Sequence, residues 1–237
     1  MRNLIAVITC HKNAIAAQAI RQTWAKDSPV EVKFFYGLGN HANRTSDEIF
    51  LPVPDTYVGL VEKVRAVIAW AYANGYDFIL KCDDDTYVVP SRVQFNSHHA
   101  GWWAPPTKNI SGQGPSCTQG FIHGGAGYVL SRHSMGILQQ SSITSISEDW
   151  WVTDTLNRAG ILSENRDTHT YLRRTLGDSF PTMPTLENQV AVSAEYAPQE
   201  LLRVHREFLH AENLAIDRMS ADEYKQYLKG EIWTTLW

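Results

Sequence analysis

The stretch Tyr76-Asp77-Phe78-Ile79-Leu80-Lys81-Cys82-Asp83-Asp84-Asp85-Thr86-Tyr87-Val88-Val89 decides the fold, because an apolar run stops there at three successive carboxylates. Phe78, Ile79 and Leu80 follow the turn signal Asn74-Gly75 and have the pattern of a short buried strand. Asp83, Asp84 and Asp85 then fall at its carboxyl end, the edge of an open α/β sheet where ligands bind. Adjacent carboxylates repel one another, and a bound cation relieves that repulsion beside a core. Oxygen ligands suit Mg²⁺ or Mn²⁺, ions that commonly carry a substrate's phosphates. The competing reading is a solvated acidic turn.

Working outward, Tyr57, Leu60, Val61, Val64, Val67, Ile68 and Ala71 recur at helical intervals. They predict an amphipathic helix capped by Asp55 or Thr56 and ended at Gly75. Further upstream, Leu4 to Ile8 predicts a first core strand ending at Thr9-Cys10-His11. A helix follows from Ala14 to Trp24, then a strand from Val32 to Tyr36, closed by Gly37-Leu38-Gly39-Asn40. Leu51-Pro52-Val53-Pro54 must be extended, since a residue before proline avoids the helical region. Strands alternating with crossover helices predict an α/β fold with a mostly parallel sheet. The phosphate-cradling glycine loops of P-loop and dinucleotide folds are missing.

Downstream, Gly124, Gly125 and Gly127 follow His123 and allow close approach of backbone to a ligand, or else form a tight turn. Ser131 is placed to cap a helix. Ser147-Glu148-Asp149 opens another, with Val152, Leu156 and Ala159 facing inward and Gly160 stopping it. Carboxylates in a first turn are expected from the helix dipole alone, so this pair has a bland reading too. His98 and His99 read as surface residues, because chain neighbours seldom face one point. Trp102 and Trp103 either stack on a sugar or join the core. A helix is expected from Pro198 to about His210, and one short helix in the tail from Ser220 to Trp237.

The 237 residues have no low-complexity linker and read as a single domain, 1–237. With 21 basic against 25 acidic residues, a net charge of -4 and no basic block, nucleic acid is an unfavoured partner. No stretch approaches the roughly 20 apolar residues of a membrane span, and the run from Leu4 to Ile8 is too short for a signal-peptide core. Cys10, Cys82 and Cys117 are too few and too odd for a disulfide framework, which fits a reducing compartment. Asn43-Arg44-Thr45 and Asn109-Ile110-Ser111 match the glycosylation acceptor pattern and are read as chance.

Five segments in register resemble successive motifs of the Fringe and β-1,3-galactosyltransferase family: Gln18 to Trp24; the spaced set Asp55, Tyr57, Leu60 and Lys63; Lys81 to Val88; Gly124 to Ser131; and Glu148 to Val152. Together they cover most of the chain from Thr9 to Ile161. The resemblance implies a GT-A type, Rossmann-like three-layer sandwich that binds a UDP-sugar donor with Mn²⁺ or Mg²⁺ at an Asp-x-Asp element. The sugar passes, with inversion, to a hydroxyl of a glycan or glycoprotein acceptor. It implies Asp83 and Asp85 as metal ligands, Asp149 as general base and Glu148 as its support or substitute. The donor would lie against Thr9, Arg21, Lys63, Asp83, Asp84, Gly124, Gly125 and Trp150, with Trp151 also shaping the sugar or acceptor site.

Where the family has a second arginine this chain has Ala17, and where it has glycine this chain has Thr153. Arg21 and Lys63 also read as ordinary helix-surface cations. The family supplies a third metal ligand, a histidine, near the carboxyl end. The counterparts here are Glu195 and His205, and His205 also reads as an ordinary helical histidine. The family's secretory members carry a membrane anchor and several cysteines, so the expected setting is a bacterial or viral cytoplasm, unless the chain is a trimmed piece of a Golgi-type enzyme. A non-catalytic sugar- or nucleotide-binding relative and a metal-dependent phosphotransferase are the alternatives.

Overall fold

The computed structural model describes residues 1–39, 45–104, 120–125, 127–166, 169–171, 191–193 and 197–216. Glu195, Ala126, Cys117, Asn43, Asn109 and the tail from Ser220 lie outside the described residues. In chain order the elements are β1 (Asn3–Ile8), α1 (Ala14–Gln22), β2 (Glu31–Tyr36), β3 (Glu48–Phe50), α2 (Leu60–Ala73), β4 (Phe78–Asp83), β5 (Thr86–Val88), β6 (His99–Gly101), β7 (Trp103–Ala104), β8 (Phe121–Ile122), β9 (Tyr128–Ser131), α3 (Arg132–Gln140), α4 (Glu148–Arg158), β10 (Glu164–Asn165), β11 (His169–Tyr171), β12 (Ala191–Ser193) and α5 (Pro198–Ile216). No helix among the described residues is long and apolar enough to cross a membrane.

The central sheet has seven strands in the order β10-β6-β9-β4-β1-β2-β3. β1 runs parallel to both β2 and β4, and β3 parallel to β2, whereas β9 runs antiparallel to β4 and β6. The near-continuous apolar runs of β1 and β4 follow from burial on both faces. Ile5, Val7, Phe34, Leu80, Cys82 and Val129 pack against Ala17 and Ile20 of α1 and Leu201, Val204 and Phe208 of α5. Their alternating neighbours Leu4, Ala6, Phe35, Ile79, Tyr128 and Leu130 pack against α2, α3 and α4 through Val64, Ile68, Met135, Leu138, Trp151 and Leu156. Helix, mostly parallel sheet and helix form three layers.

Since α1 covers one face and α2 the other, β1 and β4 lie side by side with connections on opposite faces. The carboxyl ends of such a pair diverge into a crevice. A smaller sheet, β11-β12-β5, begins directly after the carboxylates of β4, with β12 antiparallel to β5.

Several local expectations hold. Gly75 and Gly160 end their helices with φ of +78° and +79°, a conformation that favours glycine. Ser131 caps α3, its hydroxyl accepting from the Ser134 amide at 3.3 Å. Others are corrected. Helix α2 begins at Leu60, three residues late, because Asp55 is engaged elsewhere and Thr56 Oγ1 accepts the Gly59 amide in a turn before the helix. Tyr57 and Val58 are left exposed. His99 is not on the surface: it is buried, with Nδ1 2.8 Å from the Ser163 hydroxyl, while His98 is exposed as expected. Trp151 is fully buried in the core, its indole donating to Ser142 O, and does not shape a sugar site.

Candidate active site

The two-residue period of β4 sets up the site. Ile79, Lys81 and Asp83 share one face, the face covered by α4, and Lys81 is the one charged residue among them that is fully buried. Its ammonium lies 2.7 Å from Asp83 Oδ1 and 2.7 Å from Glu148 Oε1, and donates to Gly124 O at 3.2 Å. Burial by itself drives such an ammonium toward neutrality. Asp83 and Glu148 outweigh burial, and its pKa stands above that of an ordinary lysine. The Asp83 contact is an ion pair, and Oδ1 is a buried carboxylate oxygen without a well-aligned hydrogen-bond donor among the described residues.

The three aspartates have different environments. Asp84 turns back to the first loop, where Thr9 Oγ1 donates to it at 2.6 Å and Asn13 Nδ2 at 3.3 Å. Burial raises its pKa despite those donors. Asp85 faces the open crevice together with Asp83. Burial first, and then the charges of Asp83 and Asp84, push its carboxyl up to about 7. A pair of carboxylates on which a fixed cation reaches one oxygen without satisfying its hydrogen-bonding capacity fits a divalent ion. Among the described residues no three His, Cys, Asp or Glu side chains form a metal cage. Two carboxylates plus substrate oxygens and water suit Mg²⁺ or Mn²⁺ without a protein cage.

Two clefts meet at these aspartates. The first, about 230 Å³, is lined by Ile8, Thr9, Cys10, Asn13, Asp55, Thr56, Tyr57, Leu60, Lys63 and Asp83 to Asp85. The second, about 300 Å³, is lined by Tyr57, Leu60, Asp83, Asp85, His123, Gly125, Ile146, Ser147, Glu148 and Asp149. Asp83 and Asp85 therefore share a cleft with Asp149, although five strands, β5 to β9, and α3 separate them in the chain. Asp149 is half-buried and oriented from three sides: Oδ2 accepts the Gly124 amide at 3.2 Å, and Oδ1 accepts the Ser147 hydroxyl and the Trp150 amide at 2.8 Å. Glu148 is buried behind it, held by Lys81 and by the Tyr128 hydroxyl at 2.7 Å. That position suits a support, because both carboxylate oxygens are already engaged.

The glycine loop is built for this contact. A Cβ on Gly124 would overlap Glu148 Oε1, and Gly127, with φ of +76°, turns the chain into β9. Thr86 Oγ1 donates to Gly125 O at 3.0 Å, tying the loop to the strand after the carboxylates. Thr153, standing where glycine was expected, accepts the Ile122 amide at 3.1 Å and so fixes β8 to α4.

Other expected site residues are placed otherwise. Lys63 borders the first cleft, but it is buried, donating to Thr9 O at 2.9 Å and ion-paired with Asp55. Asp55 also accepts the His11 amide at 2.8 Å and the Gly37 amide at 2.9 Å, so this pair clamps the ends of β1 and β2 to α2. The Arg21 guanidinium is turned to Asp47, Glu48 and Thr45, stacks over Phe34 and lines neither cleft. Trp150 lines neither cleft. His205 lines a separate cavity near Trp24 and Phe208, with Nδ1 2.9 Å from the Tyr87 hydroxyl, and is not brought to the aspartates.

Conversely, Tyr57, His123 and Ile146 line the Asp149 cleft and were not singled out from the sequence as site residues. His123 Nδ1 accepts the Gly125 amide at 3.1 Å. Burial lowers its pKa, with Asp149 pulling the other way, so the neutral imidazole carries its proton on Nε2. Its place beside three glycines was the one available signal.

No protein-family model matches the chain. Among solved structures it is similar to one described as the crystal structure of a glycosyltransferase involved in the glycosylation of the major capsid of PBCV-1, with 10% sequence identity, coverage of 87% of this chain and 100% of that chain, and a TM-score of 0.49. A likeness this distant carries no argument about activity, and the Fringe-type resemblance rests on the five sequence motifs alone.

Proposed function

We propose that this protein is a metal-dependent inverting glycosyltransferase of the GT-A type, moving a hexose or N-acetylhexosamine from a UDP-sugar to an acceptor hydroxyl, with a β-1,3 linkage suggested by the motif resemblance. The observation that carries the reading is the single cleft lined by Asp83, Asp85 and Asp149. Two carboxylates at the end of β4 and a separately held carboxylate on α4 line the same cleft, which supports an in-line displacement at a sugar carbon assisted by a divalent ion.

In this reading the UDP moiety occupies the cleft lined by Thr9 and Asn13, and Asp83 with Asp85 hold Mn²⁺ or Mg²⁺. Such an ion, when bound, stabilises the charge that develops on a departing diphosphate. The carboxylate of Asp149, with its plane set by the Gly124 amide and the Ser147 hydroxyl, takes the proton from the acceptor hydroxyl as that oxygen attacks the anomeric carbon. The carbon–oxygen bond to the nucleotide breaks on the opposite side, and an α-linked donor yields a β-linked product. Glu148 remains buried between Lys81 and Tyr128, supporting the base from behind.

The test is turnover of a UDP-sugar panel, with and without acceptor glycans, in Mn²⁺ and in chelator, with analysis of both products. Free UDP and a new β-glycoside that vanish in chelator and in Asp149→Asn support the reading. A phosphorylated acceptor would indicate phosphotransfer. Tight Mn²⁺-dependent UDP binding without turnover would indicate a binding relative. Wild-type turnover rates in Asp149→Asn would remove the base from the mechanism.

A further inference from the structure

We infer that Lys81 is a positioning residue that joins the two halves of the cleft, holding Asp83 on the sheet and, through Glu148 and Gly124, the base Asp149 on α4 at a fixed separation. The inference rests on the proposed transfer reaction and deepens it. A lysine within an otherwise apolar strand, closed off from water, is rare unless it is paired, and this one is paired to both sides of the site. Its ammonium is ion-paired with Asp83, the last residue of β4, and donates to Glu148, the first residue of α4. The third contact, to Gly124 O, anchors the residue whose amide is donated to Asp149.

A structural ion pair would need one carboxylate. This ammonium spans two that belong to different elements and face one cleft. Tyr128, directly opposite Lys81 in the β4–β9 register, closes the network by donating to the second Glu148 oxygen. Each partner is therefore fixed by a neighbour in the sheet, and α4 is docked by charge as well as by Trp151 and Leu156. Leucine or methionine pairs would dock the helix equally firmly. They would not orient Asp83 Oδ1 or the Gly124 carbonyl.

The decisive variant replaces the pair rather than breaking it: Lys81→Met with Glu148→Met. Buried ion pairs exchanged for apolar side chains of similar volume commonly leave stability unchanged. The expected result is a melting temperature within a few degrees of wild type, loss of amide protection at Gly124 by hydrogen exchange, and Mn²⁺ binding, measured with the metal alone, weakened at least threefold. The kcat for transfer should fall about 100-fold, with the acceptor KM changed less than threefold. Lys81→Arg should recover part of the kcat. Should the double variant not fold, Glu148→Gln, which keeps the Tyr128 and Lys81 partners, should show the same loss of kcat at a smaller size. Gly124 protection and Mn²⁺ affinity unchanged in a folded double variant would overturn the inference. Because those two readouts need no turnover, an inactive wild-type protein would defeat the glycosyltransferase reading and still leave this one to be decided.

Discussion

Replacing His99 by asparagine should remove a large part of the acid sensitivity of the fold. His99 sits in β6, about 1% exposed, with Nδ1 on the Ser163 hydroxyl, its ring edge-on to Tyr128 and Nε2 without a partner among the described residues. Burial, with no opposing carboxylate, lowers its pKa to about 3. The unfolded chain returns it to about 6.5. Between those values the unfolded state binds a proton that the native state refuses, so stability is fully present above about pH 6.5 and is lost as pH falls. At about pH 5 the unfolded imidazole is roughly thirtyfold more protonated than neutral, which costs the native state about 2 kcal/mol. The native value lies far enough below pH 5 that its exact position does not alter this figure.

Carboxylates titrate in the same window, so the measurement is a double difference. Urea unfolding followed by tryptophan fluorescence at about pH 7.5 and pH 5 gives the loss for each protein, with equal m-values required for comparison. Asparagine can keep a hydrogen bond to Ser163 in place of Nδ1 and carries no charge. Its cavity cost appears at both pH values and cancels. Wild type should lose about 2 kcal/mol more than His99→Asn on acidification. Equal losses, within about 0.5 kcal/mol, would falsify the burial argument.

Asp149→Asn should lower transfer by about 10²–10⁴-fold, the range of a general base, while UDP–Mn²⁺ binding by calorimetry stays within a few fold. Gly124→Ala forces the Glu148 carboxylate off Lys81 and Tyr128, so a large kcat loss with a near-native circular dichroism spectrum is expected; an active variant would show the loop to be slack. Lys63→Met takes the ammonium from the Asp55 carboxylate, leaving it the His11 and Gly37 amides and the His11 ring, and should cost up to about 3 kcal/mol in denaturant unfolding; a stable variant with weakened donor binding would contradict the structural role. Asp85→Asn relieves repulsion from Asp83 and Asp84, so the melting temperature without metal should hold or rise, whereas the rise on adding Mn²⁺ with UDP should disappear.

Much of the scaffold was legible locally because local periods encode it. β1, the end of β2 from Phe34 to Tyr36 and the start of β4 from Phe78 to Leu80 are apolar on both faces, α2 has helical spacing, and Gly75, Ser131 and Gly160 mark their boundaries by backbone conformation or capping chemistry, all properties of a few adjacent residues. The position of Asp83 to Asp85 at a strand's carboxyl end followed for the same reason. The sequence by itself therefore determined the alternating α/β architecture and the edge on which a ligand site would form.

What only the tertiary structure decided is which charges meet. Lys63, Lys81, Arg21 and His205 are each a cation or imidazole with several available partners along the chain. Sheet order chose among them by inserting β9 between β4 and β6 and by packing α4 on the face that carries Lys81. That arrangement brought Glu148 and Asp149 to Asp83, turned Arg21 to Asp47, and left His205 beside Tyr87. Electrostatic partnership depends on distance and burial between segments far apart in sequence, and no local pattern of residue types carries that information.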